Sequence, residues 1–241
     1  MRALNDRRDD PFDPHRGFLT SASVQYAFPI FNADAQLLKE FTQGSWYIPL
    51  TARSVFAVSG RLGLIQPLGD NGFGHPLSVP LSERFTGGGE SSNRAYALDL
   101  LGTACLDPSI TNCRPTLILI DDGTKTKIAP IGGSGLLIAN AEYRFPIFSS
   151  VGGALFADAG NVFANTAIRL SDIRYGVGTG VRYLSPVGPI RFDIGYKLKR
   201  QLIGCESPVT LPDFSKVCGP GTGKQKFESP IAYFVTLGYA F

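Results

Sequence analysis

The chain has 241 residues, enough for one large β domain, and only 18% of them are charged, with a formal net charge of +3. No run approaches the roughly 18 apolar residues of a membrane helix, so any passage through a bilayer has to be made by strands. The mild charge, without a basic cluster interleaved with aromatics, excludes nucleic acid as a partner.

The N-terminal segment MRALNDRRDDPFDPHRG contains no apolar core of the kind a secretory signal needs, so an exported protein would carry its leader elsewhere in a longer chain. Asp9-Asp10-Pro11 and Asp13-Pro14 read as turns. In residues 17–29, Phe18, Thr20, Ala22, Val24, Tyr26 and Phe28 alternate with Leu19, Ser21, Ser23 and Gln25, the period of two of a strand. A second strand is expected over about 37–50. A third follows the tight turn after Pro49, with Phe56, Val58, Leu62 and Leu64 opposing Ala57, Ser59, Arg61 and Gly63. From Gln66 to about Gly133 the pattern breaks into one irregular stretch, far longer than the roughly 15 residues beyond which loops are uncommon and usually functional or disordered. Alternation resumes in SGLLIANAEYRFP, where Glu142 and Arg144 share the polar phase, and in residues 151–163, VGGALFADAGNVF.

Residues 173–198 hold the clearest pattern. Tyr175, Val177, Val181 and Tyr183 fall on one side, with Thr179 among them, and Arg174, Gly176, Gly178, Gly180 and Arg182 on the other. After the turn Ser185-Pro186-Val187-Gly188-Pro189, Ile190, Phe192, Ile194, Tyr196 and Leu198 oppose Arg191, Asp193, Gly195 and Lys197. A soluble sandwich also alternates, but here tyrosines stand near the ends of the apolar faces, and the opposite faces mix glycine with charge. That suits an all-β, antiparallel transmembrane barrel with lipid outside, a polar lumen and aromatic girdles. The final strand places Ile231, Tyr233, Val235, Leu237, Tyr239 and the terminal Phe241 on one face, resembling the sorting signal of bacterial outer-membrane proteins. The count is about eight strands joined alternately by short turns and long loops. Both chain ends are expected on the periplasmic side and the long loops outside the cell.

Several segments together resemble one family, the outer-membrane assembly barrels of the BamA and TamA type, also called bacterial surface antigens: RDDPFDPHRGF, SERFTGGGESSNRAY, PIGGSGLLIANAEYRFPI, ALFADAGNVF and GVGTGVRYLSPVGPIRFDIGY. The resemblance spans nearly the whole chain. It implies a barrel of about sixteen strands, of which residues 1–241 form the C-terminal part with no second domain, and periplasmic docking domains upstream. In the family, the loop after an ERFxxGG segment carries a Val-Arg-Gly-aromatic motif and folds back into the lumen. The corresponding residues are Asn93-Arg94-Ala95-Tyr96, so arginine and aromatic match whereas Val and Gly do not. An alanine in place of a glycine with positive φ would be strained. On its residues alone, this is a surface loop with a solvated arginine; the resemblance instead implies that Arg94 lies in the lumen against Glu142 and Asp158, with Tyr96 beside it. A buried guanidinium needs carboxylates to offset its desolvation.

Other signals carry no chemistry. Gly176-Val177-Gly178-Thr179-Gly180 imitates a dinucleotide turn, but a strand follows where a helix should begin, and these glycines are better read as thinning or bending the wall. Thr86-Gly87-Gly88-Gly89-Glu90 could form an anion nest but lacks the following Gly-Lys-Ser/Thr. His15 and His75, the only histidines, each sit beside proline, so neither a Ser/His/Asp triad nor a histidine metal site has support. No catalytic site, metal or cofactor is expected. Cys105 with Cys113, and Cys205 with Cys218, each fall within one long outer loop, where two local disulfides are expected. Four cysteines allow three pairings, and separations of 8 and 13 positions do not make the close cysteine pairs of common zinc sites.

Three functions remain at this level. The first is a bacterial outer-membrane insertase that takes client β-strands at the seam formed by Tyr233, Val235, Leu237, Tyr239 and Phe241. The second is a transporter secreting a polypeptide through the lumen, and the third a structural surface antigen. The partners implied are outer-membrane lipid, client or secreted polypeptides and accessory assembly proteins. Residues 17–28 and 231–241 are expected as the two unpaired edges of a curved half-barrel.

Overall fold

A computed structural model describes residues 1–27, 36–68, 79–105, 113–121, 126–185, 188–205, 209–210, 216–217 and 225–237. Among the described residues nine strands form one antiparallel sheet. In spatial order they are β1 (Arg2–Asp6), β2 (Gly17–Ala27), β3 (Leu37–Pro49), β4 (Val55–Pro67), β7 (Gly135–Phe148), β8 (Val151–Phe163), β9 (Arg174–Ser185), β10 (Gly188–Lys197) and β15 (Ile231–Leu237). Three two-stranded ladders stand apart from it: β5 (Leu117–Asp121) with β6 (Thr126–Pro130), β11 (Leu202–Cys205) with β14 (Gln225–Phe227), and β12 (Val209–Thr210) with β13 (Lys216–Val217). The stretch expected to be irregular from 66 to 133 thus contains the hairpin β5–β6. No helix among the described residues is long and apolar enough to cross a membrane.

The period of two sets the faces. Along β9 and β10, Arg174, Gly176, Gly180, Arg182, Arg191, Asp193, Gly195 and Lys197 are buried, while Tyr175, Val177, Val181, Tyr183, Phe192, Ile194 and Tyr196 are exposed. The sheet is therefore inverted relative to a soluble domain. Arg191 is 1% exposed and Asp193 0%, whereas Tyr233 is 74% exposed and Val235 68%. Water alone does not support such an arrangement, since contiguous exposed apolar surface of this extent marks a membrane or partner interface.

The polar face is buried because residues 79–105 lie across it. Phe85 pairs with Gly133 in an isolated bridge, and the Leu101 N–H donates to the Gly87 carbonyl at 2.8 Å. Val79, Phe85, Ala95, Tyr96 and Leu101 of this segment pack with Ile65, Leu136, Ile138 and Val162 of the sheet as one apolar cluster. Each large side chain so buried stabilises the docked loop by about 1.5–3 kcal/mol. Gly88 and Gly89 turn the chain with φ of +105° and +94°. Their N–H groups go to the Ser92 hydroxyl and the Tyr96 carbonyl, so the triple glycine builds a turn and not an anion nest.

The barrel expectation is corrected by this topology. The sheet is open and is neither closed nor strongly curled; β1 and β15 stand at opposite edges, and no ladder joins them among the described residues. Alternation dictates which side chains share a face, but closure also needs the edge strands to pair with a matching tilt and stagger, and nothing in the alternation encodes that. The edge expected at residues 17–28 is also wrong. β2 is covered by β1, register Arg2 opposite Ser23 to Asp6 opposite Leu19, and the Met1 ammonium donates to the Val24 carbonyl at 2.7 Å. All five β1 residues are exposed, so backbone bonds hold a segment whose side chains show no alternation. At the other edge, β15 pairs with β10 from Ile190 opposite Leu237 to Tyr196 opposite Ile231.

Candidate functional site

The buried centre of the polar face is built by register. β7 pairs with β8 so that Asn140 stands opposite Asp158 and Glu142 opposite Phe156. β9 pairs with β10 so that Arg182 stands opposite Arg191, with Asp193 opposite Gly180. Two arginines side by side repel, and Asp193 separates them: Arg182 Nη1 donates to Asp193 Oδ1 at 2.6 Å and Arg191 Nε lies 2.8 Å from Asp193 Oδ2. Arg182 Nη2 also lies 3.1 Å from Glu142 Oε1, which accepts from Arg144 Nε at 2.8 Å.

Onto this strand platform the loop delivers Arg94, 0% exposed. Its Nε and Nη2 donate in parallel to Asp158 Oδ2 and Oδ1, both at 2.9 Å, and its own backbone N–H donates to Oδ2 at 2.9 Å. Nη1 donates to Glu142 Oε2, and the guanidinium carbon stands 3.7 Å from the centroid of the Phe156 ring. The planar fork thus satisfies two carboxylates while its face stacks on an aromatic, a combination that lysine cannot reproduce. Burial works against its charge, but Asp158 and Glu142 more than offset this and hold the Arg94 guanidinium above the usual arginine range. Asn140 donates to Asp158 Oδ1 at 2.8 Å and to the Ser92 carbonyl, fixing carboxylate and loop together.

Glycines make room for this approach. A Cβ on Gly195 would stand 2.2 Å from the Arg94 carbonyl oxygen, and one on Gly176 would stand 2.4 Å from the Ala95 Cβ. Ala95 itself is unstrained, since Asp99 is the one non-glycine residue of positive φ among those described. Tyr96 is buried; its hydroxyl donates to the Lys199 carbonyl at 3.3 Å, and Lys197 Nζ lies 4.8 Å from its ring centroid. Burial pushes the Tyr96 hydroxyl up to about 12, with Arg174 opposing the shift and Glu228 adding to it.

Arg94, Tyr96, Glu142 and Asp158, singled out in the sequence, therefore lie together on one face. Arg144, Arg182, Arg191 and Asp193 join them and had been given no role. Their signal was present in the polar phase of the hairpin, where a register centred on Ser185–Gly188 sets Arg182 beside Arg191. Tyr233, Val235 and Leu237 point outward from β15, whereas Tyr239 and Phe241 lie outside the described residues. Cys105 and Cys113 are joined in a disulfide with Cα atoms 5.7 Å apart. The pairing expected of Cys205 falls outside the described residues, because Cys218 is not among them. Among the described residues no group of three or more His, Cys, Asp or Glu could hold a metal ion.

An inverted antiparallel sheet, apolar outward, with a loop latched to its charged face by one arginine defines a membrane-associated β protein rather than a soluble one. The chain belongs to the Omp85 superfamily: the family model described as the Omp85 superfamily domain matches residues 1–202. The outer membrane protein assembly factor BamA of Neisseria meningitidis serogroup B is 26% identical over 212 residues, covering 81% of this chain and 26% of that protein. The crystal structure of BamA from Haemophilus ducreyi lacking POTRA domains 1–3 is similar in fold, with a TM-score of 0.62 and 18% identity over 96% of this chain and 41% of that one. The chain thus spans about a quarter of the curated relative and less than half of the solved one.

Proposed function

We propose that this chain is the strand-accepting part of an outer-membrane protein assembly factor, with its apolar face in lipid and β15 as the edge that receives client strands. Superfamily membership and the similarity to BamA support the outer-membrane assembly role. The observation that carries the site is β15 itself: it is bonded to β10 on one side only among the described residues, and Ile231, Tyr233, Val235 and Leu237 are all exposed on its outer face. A free row of N–H and C=O groups is the template for strand addition. The lipid reading is supported by the spacing of the tyrosines. Tyr175 and Tyr183, eight residues apart on one face, are separated by roughly 26 Å at about 3.3 Å per residue, close to the roughly 25 Å apolar band of outer-membrane sheets. The latched loop keeps the charged face rigid behind that edge.

The test places a photo-crosslinking residue at Thr236 in the full-length protein in cells and, as a control, at Val181 in the middle of the sheet. Crosslinks from 236 to unfolded outer-membrane β proteins, absent from 181, are the expected result. Crosslinks to a soluble passenger released outside the cell would assign secretion instead. Equal crosslinking at both positions would remove the edge mechanism.

A further inference from the structure

A second polar site lies at the loop end of the sheet, and no step of the assembly reading uses it. A cavity of about 310 Å³ opens between the ends of β8 and β9, the segment 199–202 and the Cys105–Cys113 disulfide, a size at the lower end of small-ligand sites. Among the described residues five cations line it, Arg114, Arg169, Arg174, Lys199 and Arg200, against one carboxylate, Asp172. An excess of that size in one cavity is not a solvated face alone, because part of it is buried and underfilled. Arg174 is 9% exposed; its Nη2 donates to Gln201 Oε1 at 2.8 Å, yet its Nε has no hydrogen-bond partner among the described residues. Asn161, 1% exposed, donates from Nδ2 to the Asp172 carbonyl at 2.8 Å, which fixes its amide orientation and leaves Oδ1 without a partner among the described residues. Buried polar atoms of this kind are rarely left unpaired in a folded protein, and an unseen ion or water is a usual reason.

We propose that this cavity binds a phosphate monoester group. Among the described residues the Arg174 Nε–H lacks an acceptor and Asn161 Oδ1 lacks a donor; any phosphate oxygen is an acceptor, and the O–H of the hydrogen phosphate ion or of a singly protonated monoester is a donor, which the fully ionised monoester does not have. The phosphate group's charge of about −1.5 to −2 at neutral pH offsets the excess of cations better than a single carboxylate would, and the arginine fork suits tetrahedral oxyanions. Gln201 ties the floor together: besides accepting from Arg174, its Oε1 accepts from the Ala104 N–H at 3.1 Å and its Nε2 donates to the Gly102 carbonyl at 3.3 Å. The Arg174 carbonyl in turn accepts from Asn93 Nδ2 at 3.2 Å, so the site shares a residue with the latched loop. The proposal stands apart from the reading of β15.

The same chemistry arrives either as free phosphate or as a phosphorylated lipid headgroup, and two arms separate them. In the first, the full chain in maltoside micelles is titrated calorimetrically with inorganic phosphate and pyrophosphate. In the second, it is placed in phosphatidylcholine nanodiscs with and without a phosphorylated glucosamine lipid, and binding is read from 31P line broadening. Saturable binding is expected in at least one arm, weakened about tenfold by Arg174→Gln and by Arg169→Gln and unchanged by Arg53→Gln at the opposite end of the sheet. Arg169 is exposed, so its variant tests the site even where Arg174→Gln fails to fold. Binding in the first arm assigns free phosphate, and binding in the second alone assigns the headgroup. No saturable binding in either arm, or binding equally strong in Arg169→Gln and Arg53→Gln, overturns the proposal.

Discussion

Arg94 is the residue on which the polar face depends, because three side-chain bonds to carboxylates, a stacked ring and a bond from its own backbone N–H converge on one residue. Removing it leaves Asp158 buried without its arginine and takes from Glu142 one of three, Arg144 and Arg182 remaining, and breaking a buried pair from one side costs about 3–5 kcal/mol. Arg94→Ala is expected to lose stability on that scale in urea denaturation. Arg94→Lys should recover only a part of it, because a point charge cannot serve both carboxylates. Asp158→Asn in the Arg94→Ala background should cost less than either change alone would suggest, since it removes the stranded charge; simple additivity of the two would show that they do not interact. Glycine positions give a sharper geometric test. A methyl at Gly195 meets the Arg94 carbonyl at 2.2 Å, whereas one at Gly60 meets nothing nearer than the Ile138 carbonyl at 3.9 Å. Overpacking of this kind costs about 1–3 kcal/mol, so Gly195→Ala should destabilise the protein and expose the loop to protease while Gly60→Ala does neither.

At the scale of elements, the strands and their faces were legible in the sequence, and the loop was legible only in part. Residues 174–197 display a period of two that any register of that hairpin preserves, so Tyr175, Val177 and Val181 had to share one face and Arg174 and Arg182 the other. The docking of residues 79–105 could not be read in the same way. Its apolar residues, Val79, Phe85, Tyr96 and Leu101, follow no period, and Arg94 looks solvated until the resemblance supplies acids for it. Tyr96 reports on that docking through pH. Its folded hydroxyl titrates near 12, above the usual tyrosine value of about 10. The fold therefore favours the neutral phenol: the stabilisation is complete below pH about 10 and is lost as pH rises through about 12. In alkaline titrations followed by protease access to the loop, Tyr96→Phe should lack the loss between about pH 10 and 12 that the parent shows. An identical alkaline profile in both proteins would mean that other groups release the loop.

For the molecule as a whole, the curl of the sheet and the strand that covers its N-terminal edge were the properties least legible in the sequence. Strand count, short turns and apolar phase are shared by open and closed sheets, and β1 escaped notice because RALND carries no apolar alternation, all five residues being exposed. The consequence is testable with cysteine pairs. Ile194 and Tyr233 face one another across β10 and β15, and directly opposed residues of an antiparallel pair have Cα atoms about 4.5–5.5 Å apart, within disulfide range. Ile194→Cys with Tyr233→Cys should oxidise readily within one chain. Leu4→Cys with Val235→Cys places the same chemistry on the two outer strands, which an open sheet holds apart. That second pair should give no intramolecular bridge under the same oxidant, only slow dimers at high concentration through exposed strand edges. An intramolecular bridge forming as fast as the control pair would show that the edges meet in solution, and β15 would then have no free edge to offer an incoming strand.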